Sequence, residues 1–171
     1  LWTWDGSAWT SRTIANPPSQ RQQPGLAYDA ERQQVVLYGG YDNNRNIDNG
    51  DTWLLSFPRD FGSTCEVASQ CASGICTDGV CVNPAVTTTS WRQVGWDNGR
   101  MAFVGAFDEA NGEAVAFGGY GTTTLGDTIT WNGGGWTTES PLASPAPRHY
   151  GGLAFDRERN EIVLFGGVGI D

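Results

Sequence analysis

One pattern occurs three times in the same register, and it constrains the fold more than any other feature of the chain. Arg21, Arg100 and Arg148 each open a 20-residue stretch that closes on a glycine pair, Gly39-Gly40, Gly118-Gly119 and Gly166-Gly167, with no insertion in any copy. Seven residues after each Arg stands an aromatic residue followed by Asp: Tyr28-Asp29, Phe107-Asp108 and Phe155-Asp156. An apolar run leads into each Gly pair, Val35-Val36-Leu37-Tyr38, Ala114-Val115-Ala116-Phe117 and Ile162-Val163-Leu164-Phe165. Repetition at this spacing is the mark of a repeat architecture, so the repeated unit, not the 171-residue length, is what has to be folded.

Each unit reads as strands. A short apolar piece (Leu26-Ala27-Tyr28, Gly105-Ala106-Phe107, Leu153-Ala154-Phe155) is joined to the apolar run by a polar turn of hairpin length. Asp29, Asp108 and Asp156 are placed to accept hydrogen bonds from the backbone ahead of them. Gly112 and Asn160 suit the left-handed position that closes such a turn, and Gln33 suits it less well. The second strand is apolar at consecutive positions, which predicts a sheet covered on both faces.

After a loop of variable length comes a third strand, Asp51–Leu55 or Asp127–Trp131. The turn from Trp131 to Trp136 matches that from Trp4 to Trp9, and Asn132-Gly133 and Asp5-Gly6 within them are strong hairpin signals. Trp9 and Trp136 therefore open a fourth strand, and each lies 12 residues before the next Arg through a Pro-containing linker. The adjacent glycines predict a close backbone approach or an unusual backbone angle. The recurrent Arg residues read as hydrogen-bond donors from one unit to the next.

Four antiparallel strands per unit, repeating at 48 residues between the second and third Gly pairs, describe a β-propeller. Arg148, Phe155-Asp156, Gly166-Gly167 and Asp127-Thr128, with Trp131 and Trp136, resemble the kelch repeat in its bacterial form with Trp-Asp-Gly turns. The resemblance covers nearly the whole chain apart from residues 57–90. It implies an all-β, kelch-type propeller with three four-stranded blades in view. Since propellers carry four to eight blades, the three read as part of a larger propeller, or as half of a ring closed by head-to-tail pairing with a second copy. Leu1-Trp2-Thr3-Trp4 aligns with the third strand Thr128-Ile129-Thr130-Trp131, and Asp171 stands just before such a strand would start.

Residues 57–90 interrupt the pattern and separate kelch regions at 1–56 and 91–171. They carry all four cysteines, Cys65, Cys71, Cys76 and Cys81, in a stretch too poor in apolar residues to build its own core. Cross-links are the expected source of its stability. Four cysteines allow three pairings, and the interleaved one, Cys65 with Cys76 and Cys71 with Cys81, braces a short knot best. A zinc site competes with disulfides, but the spacing meets the zinc-ribbon pattern only in part. The segment resembles short Cys-rich motifs of secreted proteins from predatory soil bacteria such as myxobacteria. Disulfides place the protein outside the cell or on its surface.

The chain carries 10 Arg, no Lys and 19 acidic residues, a formal charge of −9 that argues against nucleic acid as a partner. No apolar run is long enough for a membrane helix. The sequence contains no Gly-x-Ser-x-Gly elbow and no His-Glu-x-x-His. The lone His149, whose counterparts are Gln22 and Met101, reads as a structural or surface residue. Kelch enzymes similar to galactose oxidase need two His at a copper site, which this stretch does not supply.

Function should lie where the copies differ. Asp42, Asn44, Asn46 and Asp48 alternate as oxygen ligands do in calcium loops, although the Gly and closing Glu of an EF-hand are missing, so calcium competes with a plain Asn-rich turn. Trp96 has no counterpart among the repeats, and with Tyr41 and Tyr120 it is a candidate ligand contact. The expected function is an extracellular binding or adhesion scaffold that recognises a glycan or a protein through propeller loops. Two alternatives stand beside it: the propeller portion of a secreted carbohydrate-active enzyme, and a structural protein that assembles through complementary ends.

Overall fold

A computed structural model describes residues 1–4, 6–32, 34–56, 76, 77, 80, 81, 90–96 and 98–169. Among these residues all regular structure is β-strand; the strand pairs whose register is described are antiparallel, and one isolated bridge, Ala15 to Ser90, is parallel. The chain forms two compact units, one from Leu1–Pro18 with Leu55–Arg92, the other from Ser19–Leu54 with Gln93–Asp171.

The first unit contains the hairpin Trp2–Trp4 with Trp9–Ser11, in which Trp4 faces Trp9 with ring centroids 5.5 Å apart. It also contains a short hairpin, Cys76–Thr77 with Val80–Cys81, that sets the backbone of Cys76 opposite that of Cys81. Cys65 and Cys71 lie outside the described residues.

The second unit holds most of the residues of three sheets. The first runs in the order Gly25–Asp29, Gln34–Tyr38, Asp51–Ser56, Ser90–Trp96, and the second in the order Val104–Asp108, Glu113–Tyr120, Thr124–Trp131, Trp136–Thr138. Each is a meander in chain order, with the third strand at Asp51 and Thr124 and the fourth opening at Ser90 and Trp136. The third sheet has two strands, Arg148–Asp156 and Glu161–Gly169.

The hairpin turns close as their sequence directs. The Asp29 carboxylate accepts the Arg32 N–H, Asp108 accepts those of Ala110 and Asn111, and Asp156 accepts those of Glu158 and Arg159. Gly112 and Asn160 take the left-handed conformation at φ 68° and 54°, and Gln33 lies outside the described residues. All six glycines of the three pairs have positive φ. A Cβ on Gly39 would stand 2.5 Å from the carbonyl oxygen of Arg100, and one on Gly118 would collide with that of Arg148. The pair is thus the point where one sheet's backbone meets the next, which a side chain would prevent.

The recurrent Arg side chains grip the Gly pair of their own sheet, and the Arg100 backbone N–H donates to the Asn49 carbonyl of the preceding unit at 3.3 Å. Arg21 donates to the Gly39 carbonyl at 2.9 Å and to both oxygens of Asp51, and Arg100 donates to the Gly118 carbonyl at 3.1 Å and to both oxygens of Asp127. The left-handed glycine turns its carbonyl out of the ladder, and the guanidinium at the entrance of the adjacent strand is the donor that reaches it. Arg148 repeats the bond to the Gly166 carbonyl at 3.1 Å. No carboxylate among the described residues meets it.

Packing between sheets follows from the alternation of side chains along each strand. Tyr38 of the first sheet packs with Phe103, Ala116 and Ile129, and Val36 with Leu54, Ala114 and Trp131. Trp136 leans on both clusters and donates its indole N–H to Thr52 at 2.7 Å, tying the second sheet to the first. Burying large apolar side chains like these contributes roughly 1.5 to 3 kcal/mol each. Because Ala114 and Ala116 face the first sheet, Val115 and Phe117 face the other way, where the strand Arg148–Asp156 packs. Consecutive apolar positions thus mark two covered faces in the second sheet, whereas the face of the first sheet turned away from the second leaves Leu26 and Tyr28 exposed. The third departs from that expectation: Phe165, the counterpart of Tyr38 (2% exposed) and Phe117 (5%), is 85% exposed.

Candidate functional site

The entrances to the first strands bring the most varied side chains of the repeat together. The residue after each Arg is bridged to the residue after the Gly pair. Gln22 and Tyr41 exchange backbone bonds of 3.0 and 2.9 Å, Met101 and Tyr120 exchange bonds of 2.9 and 2.8 Å, and His149 lies opposite Val168.

The next residue in each copy, Gln23, Ala102 and Tyr150, is left-handed, with φ of 55°, 56° and 61°. Ala102 N–H donates to the Gln23 carbonyl at 3.2 Å, and Tyr150 N–H donates to the Ala102 carbonyl at 2.9 Å. A main-chain link therefore runs from sheet to sheet through three residues of one strained type. Left-handed non-glycine residues of this kind cost about 1 to 2 kcal/mol and persist only where surrounding contacts hold them.

Upon this frame the side chains form an aromatic and amide surface. The His149 ring lies edge-on to Tyr120 at 5.8 Å and to Tyr150 at 4.8 Å. Gln23 donates its amide N–H to the Tyr150 hydroxyl at 3.2 Å, and Gln22 donates to Asn43 at 3.3 Å. Tyr120 and Tyr150 are exposed, whereas the His149 Nδ1 atom is buried with no hydrogen-bond partner among the described residues. Arg21 and Arg100 are paired with Asp51 and Asp127, while Arg148, next to His149, bonds the Ala146 and Gly166 carbonyls. The side chains beyond the Arg residues present ring faces, phenol hydroxyls and amides.

The residues expected from sequence fall unevenly on this surface. Tyr120 lies within it, and Tyr41 occupies the equivalent position one sheet earlier with its hydroxyl bonded to Asn46. The side chain of Trp96 lies outside the described residues. Gln23 and Tyr150 escaped the sequence reading and His149 was read as a structural or surface residue, although all three occupy the first two positions after the repeated Arg, where the copies stop matching.

In the loop considered for calcium, Tyr41–Asp42 pairs with Ile47–Asp48 as a small hairpin, with Asn46 left-handed. One Asp42 oxygen accepts the Asn44 and Arg45 N–H groups at 2.9 and 3.2 Å, and the other lies 3.5 Å from the Arg45 guanidinium. Burial pushes the Asp48 carboxyl above the usual carboxylate range, and its Oδ1 has no donor. Among the described residues no group of three or more His, Cys, Asp or Glu side chains is placed to hold a metal ion.

No protein-family model matches the sequence, and no curated protein matches it. Among solved structures the chain is similar to the one titled "Structure of YjhT", with 12% identity and a TM-score of 0.62 over 95% of this chain. The chain spans 42% of the length of that protein, and at this identity the likeness is one of fold.

Proposed function

We propose that this chain is a portion of a kelch-type β-propeller from a secreted or cell-surface protein, and that it binds a glycan at the surface formed by Gln23, Tyr120, His149 and Tyr150. The observation that carries the reading is the left-handed Tyr150, held beside His149 and hydrogen-bonded to Gln23 at the position where the copies diverge. Backbone strain concentrates where a side chain must be aimed. Aromatic rings offer faces on which the apolar side of a sugar ring stacks, and amides match its hydroxyls. Three in-register units and a chain that spans less than half of its structural neighbour support the propeller reading. The disulfides of residues 57–90 belong to the same extracellular reading.

The test is a screen of immobilised neutral oligosaccharides, followed by titration calorimetry on any that bind. Tyr150→Ala should weaken binding about tenfold through the lost stacking, and Trp131→Phe, a core change, should not. Binding that survives Tyr120→Ala and Tyr150→Ala together would move the site elsewhere.

A further inference from the structure

The frame that carries the candidate surface is present a second time, one sheet earlier. Tyr41 follows the first Gly pair as Tyr120 follows the second. Each is bridged by two backbone bonds to the residue after the repeated Arg, Gln22 in one case and Met101 in the other. The two frames are joined through the main chain by the Ala102 N–H, which donates to the Gln23 carbonyl. One residue type at one backbone position of two successive sheets sets the Tyr41 and Tyr120 rings in equivalent places, separated by the spacing of packed sheets, on the order of 10 Å. Around Tyr41 stand exposed carboxamides: Gln22 donates to the Asn43 side-chain oxygen at 3.3 Å, and the Tyr41 hydroxyl donates to that of Asn46. The small hairpin Tyr41–Asp42 with Ile47–Asp48 holds these groups, and Asp42 fixes its turn by accepting the Asn44 and Arg45 N–H groups.

We infer that the frame around Tyr41 is a second sugar-binding subsite, and that the ligand is an extended, β-1,4-linked glycan chain lying across both frames, not a single sugar. The inference rests on the glycan reading of the surface at Tyr120, His149 and Tyr150. A ring flanked by carboxamides repeats the chemistry of that surface: the ring stacks on the apolar side of a pyranose, and each carboxamide offers donors and an acceptor to its hydroxyls. Because the Tyr41 hydroxyl is given to Asn46, its share of the contact is the ring face. The hydrogen bonds come from Gln22 and Asn43, whose mutual bond uses one N–H of the first and one lone pair of the second and leaves the rest of both amides open. A β-1,4-linked chain is flat and extended, so its successive rings can lie on both tyrosines at once. Two linked subsites raise affinity only for a ligand long enough to reach both, since the second contact then forms within a complex already made.

The experiment is titration calorimetry with glucose, N-acetylglucosamine and the β-1,4-linked oligomers of each up to the hexamer, on the wild type and on Tyr41→Ala, Asn43→Ala and Tyr150→Ala. Thermal unfolding first establishes that the variants are folded. In the wild type the hexamer should bind about tenfold more tightly than the monomer. Tyr41→Ala should abolish this gain and leave monomer binding unchanged, and Asn43→Ala, at an exposed turn position, should reduce it. If Tyr41→Ala does not fold, Asn43→Ala decides alone. Tyr150→Ala should weaken binding at every length. A hexamer that binds no more tightly than the monomer would overturn the second subsite and leave the first standing, as would a gain with length that persists in the Tyr41 and Asn43 variants. Failure of both series to bind, while another glycan binds in a Tyr150-dependent manner, would also overturn it alone. If no glycan binds in that manner, the glycan reading falls and this inference with it.

Discussion

The second and third sheets share the same Arg, Asp and Gly-Gly framework, yet one is sealed and the other is open. In the second sheet Phe117 is buried, Gly118 touches the following unit, and Arg100 grips Asp127. In the third, Phe165 is exposed, Gly166 faces open space, and Arg148 meets no carboxylate among the described residues. The hairpin and its turns are therefore local properties of the repeat, whereas burial is conferred by a neighbour. A motif can write its own backbone, but it cannot supply the surface that makes its apolar face stable.

The largest effect expected from this contrast is at the glycines. Gly118→Val combines a left-handed β-branched residue with a collision against the Arg148 carbonyl and should cost about 4 kcal/mol or more. Gly166→Val meets nothing and should cost only the backbone penalty of about 1 to 2 kcal/mol. Denaturant unfolding of the two variants measures the difference, and equal losses would mean that the Gly pair acts through backbone conformation alone.

Next come the aromatic residues. Phe117→Ala should destabilise by about 3 to 4 kcal/mol, while Phe165→Ala, measured in dilute solution, should change stability by no more than about 0.5 kcal/mol. A large loss at Phe165 would show that its face is already covered.

The smallest effect concerns pH. Burial alone would raise the Asp51 carboxyl, but hydrogen bonds from Arg21 and Trp53, together with the charge of Arg21, outweigh it and hold the carboxyl below its usual range. A carboxyl depressed in the folded state stabilises fully above its unfolded value near 3.8 and loses that contribution as pH falls through the folded one. Stability should therefore fall below about pH 4, less steeply in Asp51→Asn. Arg148→Met should leave this profile unchanged, since Arg148 meets no carboxylate among the described residues. Identical acid limbs in wild type and Asp51→Asn would assign the acid sensitivity to other groups.

What could be read from sequence was what short-range chemistry decides. Asp29, Asp108 and Asp156 announced their turns, and the Gly pairs announced a close approach, because both follow from residues adjacent in the chain. The Arg bonds were legible only in part: Arg100 does donate to the Asn49 carbonyl of the preceding unit, but recurrence shows that a donor is needed without showing that the side chain reaches the Gly carbonyl of its own sheet. The open face of the third sheet was equally hidden, because Ile162–Phe165 carries the same apolar run as its covered counterparts. The candidate site was legible only in part. Tyr120 stood out as an aromatic residue in a variable loop, but Gln23 and Tyr150 matter through a left-handed backbone that no composition rule marks for Gln or Tyr.

The link through Gln23, Ala102 and Tyr150 has an evolutionary consequence. Main-chain atoms make the sheet-to-sheet bonds there, so those bonds are indifferent to which side chain is attached. An amide, a methyl group and a phenol already occupy the three equivalent places. Replacement at these positions exchanges one surface group for another while the bonds that join the sheets stay in place, and the scaffold can change what it recognises without being rebuilt.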